Sequence, residues 1–162
     1  MNDTLPPTSY VSRVIALPPG VAQQVFDACR VDRQYRSAVP SRWTVPAGPS
    51  IRLELDGPGH TVAPDPTRSW ALRACRGVLR SNRLVGPFDV ELELNPWSGA
   101  RSEIGLRLVG RKRPSARYLA AAGAVVDGLA SELELRGLLA LHPDHTTGFR
   151  VRQQEATASA WL

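Results

Sequence analysis

At 162 residues, with 43% hydrophobic and 22% charged side chains, the chain has the composition of one ordinary globular domain. That balance excludes global disorder, and no apolar run approaches the roughly 18 residues of a membrane span. The net charge of +5 is carried by arginine, with Lys112 the single lysine, and the arginines are scattered beside glutamates. Nucleic acid is therefore not the expected partner.

Met1 to Ser9 has neither a basic n-region nor an apolar h-region, so a cytoplasmic location is expected. Residues 1–9 read as a flexible lead, 10–141 as a single domain and 142–162 as a tail. Tyr10 to Leu17 is short, β-branched and bounded by Pro18-Pro19-Gly20, which predicts a first strand. Proline suits a helix start, and Val21, Val25, Phe26 and Cys29 then share one helical face. The spacing predicts a helix over 19–29, with a second short helix or turn reaching Ala38. Ser41 to Pro49 carries three Pro or Gly breakers around Trp43 and reads as an irregular crossing.

Ile51, Leu53 and Leu55 alternate with Arg52, Glu54 and Asp56, a half-buried strand. Asp56-Gly57-Pro58-Gly59 reads as a turn and His60 to Ala63 as a brief returning strand. The stretch Arg68–Arg136 then predicts three antiparallel strands and a long helix, with turns at Ser81-Asn82-Arg83 and at Asn95 to Ala100. One register places Trp70, Leu72, Ala74, Arg76 and Val78 opposite Gly86, Phe88, Val90, Leu92 and Leu94. Ile104, Leu106 and Leu108 fall opposite Leu94, Leu92 and Val90. The other face of the same register brings Arg73, Glu91 and Arg107 together, and cross-strand pairs of this kind specify register.

After the basic run Arg111-Lys112-Arg113, which reads as a solvated turn, Ser115 is a natural N-cap. Leu119, Ala122, Val126, Leu129 and Leu133 recur at helical spacing to Arg136, with Gly137 as the expected C′ residue or one further turn through Leu138-Leu139. Gly123 and Gly128 each cost up to about 1 kcal/mol relative to alanine. The run Ala120 to Ala124 makes the first half thin, which allows close approach of another element or leaves space beside it. Beyond His142 periodicity is lost, although Phe149 to Arg152 would suit a short strand.

This order of strand, helix, long antiparallel sheet and long last helix resembles the START-like, polyketide cyclase/dehydrase (SRPBCC) superfamily. The residues that carry the resemblance are Ile15-Ala16-Leu17-Pro18 leading to Val25-Phe26, and the meander with the Tyr118 to Leu133 helix. It implies an α+β helix-grip fold, a curved antiparallel sheet around a long C-terminal helix, with an apolar cavity between them. Hydrophobic ligands such as lipids, sterols or polyketides, and in some members cyclisation or dehydration, are what the resemblance implies.

Within that frame Arg76 is the anomaly, a cation in an apolar row, where it either binds a ligand oxygen or reaches water or an acid. Trp70, Phe88, Tyr118 and Trp43 are the remaining candidate ligand-binding residues, each equally readable as core or packing. Cys29 and Cys75 lack metal-ligand spacing, and His142, Asp144 and His145 read as a solvated turn, so no metal and no cofactor is expected. Neither a nucleophile elbow nor a phosphate-binding glycine loop is present in the sequence. Two functions remain open: binding of a hydrophobic small molecule, with or without weak cyclase/dehydratase activity, or a structural domain that meets a protein partner through its C-terminal tail.

Overall fold

The computed structural model describes residues 8–39, 41–47, 50–62, 72–81 and 89–142. The elements are β1 (Thr8–Ile15), α1 (Pro19–Tyr35), β2 (Arg42–Pro46), β3 (Ile51–Val62), β4 (Leu72–Ser81), β5 (Asp89–Pro96), β6 (Ser102–Val109) and α2 (Ala116–Leu141). The strands form one antiparallel sheet in the order β1-β6-β5-β4-β3-β2. The first two strands of the sequence thus occupy opposite edges, and α1 carries the chain between them. Helix α2 packs chiefly on β1 and α1 and also touches β6, β2 and β3, so both margins of the sheet reach it. A sheet whose two margins both meet one long helix must curve around it. This is the helix-grip α+β arrangement.

The periodicities explain most of these elements. Val90, Leu92 and Leu94 pair with Leu108, Leu106 and Ile104, and all six are buried, as the alternation requires. Each fully buried leucine of such a row contributes on the order of 1.5–3 kcal/mol. On α2, Ala122, Val125, Val126, Leu129 and Leu133 are buried at spacings of three and four. Ser115 caps the helix, its Oγ accepting from the Tyr118 amide at 3.2 Å.

Five expectations are corrected. Helix α1 runs unbroken to Tyr35, because Cys29 and Arg33 lie one turn apart on the face it buries. Trp43 lies on a strand: β2 pairs with β3 through Trp43↔Leu55 and Val45↔Leu53, with Pro46 ending it at the sheet edge, where proline is tolerated. Strand β3 does not reverse at Gly57-Pro58-Gly59. Its register to β4 shifts there, four steps from Asp56 to His60 matching two from Arg76 to Ala74, which is a bulge. Helix α2 continues to Leu141, and Gly137 lies inside it, buried against Leu17.

The fifth correction concerns β4. Cys75 pairs with Leu92 and Gly77 with Val90, so the buried row of β4 is Cys75, Gly77 and Leu79, one residue out of step with the sequence reading. Arg76, not Arg73, stands beside Glu91, whose other neighbour is Arg107. The cost of burying an unpaired guanidinium decides the face. The turn at 81–83, the Phe149 to Arg152 strand, Asp144, His145 and the tail lie outside the described residues. Among the described residues no helix is long and apolar enough to cross a membrane.

Candidate functional site

The inner face of the sheet and the buried face of α2 meet in an apolar layer, and Trp43 is the largest side chain wholly enclosed there. Strand alternation turns Trp43 and Val45 inward from β2. The indole meets Phe26 of α1 edge to face, with ring centroids 5.7 Å apart at 84°. Its Nε1 is buried and, among the described residues, has no hydrogen-bond partner. Leaving such a donor unsatisfied costs about 1–3 kcal/mol.

A polar clamp fastens the backbone next to this indole. Arg33 of α1 donates through Nη1 to the Thr44 carbonyl at 3.1 Å and through Nε to Cys29 Sγ at 3.3 Å. Its Nη2 bonds Glu132 of α2. Arg136 reaches Glu132 Oε1 at 3.1 Å and Asp32 at 2.7 Å. One guanidinium therefore ties β2 to both helices. Burial opposes the charge on Arg33, but Cys29 and Glu132 hold its pKa above the ordinary value. Burial also pushes the Cys29 thiol up, only partly countered by Arg33.

Tyr118 lies in the first turn of α2, buried, and burial pushes its phenol up to about 12, so it is a neutral hydroxyl at physiological pH. Tyr118 near the start of α2 and the Arg33–Glu132 clamp near its end are 14 residues apart, about 21 Å along the axis.

Arg76 is exposed on the outer face. It stands in a cross-strand row of Arg107, Glu91, Arg76, Asp56 and Arg42, alternating in sign over five strands. Arg42 and Asp56 bond at 3.0 Å. Arg76 lines a cleft of about 400 Å³ with Asp56, Gly77, Asp89, Val90 and Glu91. In the cross-strand row Arg76 stands between Asp56 and Glu91, each of which also has a second arginine as neighbour. Trp70 and Phe88 lie outside the described residues.

The sequence reading did not single out Arg33 and Glu132, which fasten Thr44 next to Trp43, and read Phe26 only as part of the buried helix face. The signal was the one-turn spacing of Cys29 and Arg33, visible only once α1 is extended to Tyr35. The alternation that turns Val90, Leu92 and Leu94 inward sets Glu93 on the outer side, yet it is 2% exposed and bonds Arg107 at 2.9 Å. Trp97, in the β5–β6 turn, is half exposed.

No protein-family model matches the sequence, and no curated protein matches it. Solved structures resemble it at low identity. A START superfamily protein from Mycobacterium smegmatis is 13% identical at a TM-score of 0.46, over 82% of this chain and 98% of that one. Ara h 8.0201 is 8% identical at a TM-score of 0.43, over 82% and 97%. The Zhui aromatase/cyclase from Streptomyces sp. R1128 is 15% identical at a TM-score of 0.37, over 86% and 95%. At these identities no residue role passes from them to this chain.

Proposed function

We propose that the chain binds a hydrophobic small molecule in the layer between α2 and the inner face of the sheet. The observation that supports this most is the Trp43 indole, a buried donor that finds no acceptor among the described residues, in an otherwise apolar surround. An apolar ligand with one carbonyl, ether or hydroxyl oxygen at Nε1 would remove that penalty while burying its own apolar surface. The Arg33 clamp suits the same reading, since it holds the backbone next to the donor before binding and so reduces the ordering cost. The slim face of α2, with Ala121, Ala122 and Val125 buried, keeps the helix backbone near the sheet and limits the ligand to a flat or narrow body.

The proposal is for binding. Arg76, the residue that would have polarised a carbonyl, stands outside the layer. Native mass spectrometry of the full chain purified from its own host tests the reading. The expected result is a bound species of small-molecule mass that is lost in Trp43→Phe. A ligand-free chain that also fails to retain added sterols, fatty acids or aromatic polyketides would overturn it.

A further inference from the structure

The solvent face of α2 has an unusual composition for a surface helix. Its exposed residues from the second turn onward are Ala120, Ala124, Asp127, Gly128, Ser131, Leu135 and Leu138, with Ala140 and Leu141 at the end. Only Asp127 among these is charged, and it is turned toward β1 by Arg13 at 3.7 Å. Leu135 and Leu138 are 46% and 48% exposed. Surface helices ordinarily carry charged and polar residues there.

Gly128 sharpens the point. A Cβ on Gly128 would meet nothing within 4 Å among the described residues, so their packing gives no reason for glycine. Mid-helix glycine costs roughly 1 kcal/mol relative to alanine. Close approach of a second backbone would supply the reason.

The spacing of the stripe is self-complementary. About a two-fold axis between Asp127 and Gly128, an antiparallel copy sets Leu138 opposite Arg117, Leu135 opposite Ala120 and Ser131 opposite Ala124. At each of these three pairs an exposed position meets an exposed position, with Leu135 against a small residue and Leu138 against an arginine stem. This is the isologous geometry of a symmetric dimer.

Charge points the same way. Arg111, Lys112, Arg113 and Arg117 are exposed at the positive end of the α2 dipole and, among the described residues, form no ion pair. The last turn of α2 contains no basic residue to meet its carbonyl end. An antiparallel copy brings the basic end of each helix to the carbonyl end of the other.

We propose that the chain forms a homodimer through the solvent face of α2, antiparallel and centred between Asp127 and Gly128. Sedimentation of the full chain over a concentration series tests it, together with thiol crosslinking. The expected result is a reversible dimer that Ala124→Glu, a change at an exposed position, converts to a folded monomer. Gly128→Ala separates the two roles of the glycine: it raises the urea midpoint of the monomer and weakens the dimer about tenfold, the equivalent of ~1.4 kcal/mol.

Ala124→Cys combined with Ser131→Cys is expected to crosslink two copies. Either single variant is not, because the register separates like positions by about 10 Å along the axis. A monomer at every concentration would assign this face to another protein or to the chain's own C-terminal segment and overturn the proposal. A dimer that tolerates Ala124→Glu, or that crosslinks equally through the single variants, would also overturn it.

Discussion

The Arg33 guanidinium donates to the carbonyl of Thr44 at 3.1 Å, one residue from the unpartnered indole of Trp43. The same group bonds Glu132, so the edge strand, α1 and α2 share one hub. Removing it leaves a part-buried carboxylate and a carbonyl short of donors. Arg33→Met is expected to lower the unfolding free energy by about 1–3 kcal/mol, less than for a fully buried pair because both side chains retain some solvent. Urea unfolding measures it, and a change below about 0.5 kcal/mol would show that the hub contributes little.

Two glutamates are expected to give pH dependences of opposite sign. Burial holds the Glu93 carboxyl above the usual range, against the pull of Arg107. For Glu54 partial burial acts upward too, but bonds to Arg52 and Arg80 at 2.8 and 2.6 Å overcome it and hold the carboxyl low. The stability of wild type minus Glu93→Gln should therefore be fullest below the ordinary glutamate value and fall as pH rises through the folded value of Glu93. Wild type minus Glu54→Gln should be fullest above the ordinary value and fall as pH drops through the folded value of Glu54. Urea midpoints across pH for the three proteins check this, and difference curves of the same sign would contradict it.

Gly137→Ala tests the contact at the end of α2. Alanine favours a helix interior by about 1 kcal/mol, yet a Cβ at Gly137 would lie 2.5 Å from Leu17 Cδ1. The overpacking is expected to win, with a net loss of about 1–3 kcal/mol in thermal or urea unfolding. A gain in stability would mean that Leu17 yields freely.

How far residues alone determine this fold differs from strand to strand. The β5–β6 register follows from the sequence because Val90, Leu92 and Leu94 and their partners are strongly apolar at period two. Strand β4 offers no such contrast. Ala74, Arg76 and Val78 on one face and Cys75, Gly77 and Leu79 on the other differ little in apolar content, and only the burial cost of Arg76 separates them. Prolines hide β2, since Pro46 suits only an edge and nothing local shows that β2 is one. Gly57-Pro58-Gly59 has turn chemistry but sits where β3 bulges. Trp43 is readable as a candidate, while the lack of an acceptor at Nε1 depends on tertiary packing that the chain order does not reveal.

The most direct test of ligand binding follows the Trp43 indole N–H by ¹⁵N NMR, its resonance assigned by comparison with Trp43→Phe. The titrants are apolar molecules in matched pairs, each with and without a carbonyl oxygen. Binding in the layer is expected to shift that resonance downfield, saturably and only for the carbonyl-bearing members, as the donor gains an acceptor. A Trp43 resonance unmoved by every compound that binds, or binding retained unchanged in Trp43→Phe, would contradict the assignment of this indole as the ligand's anchor.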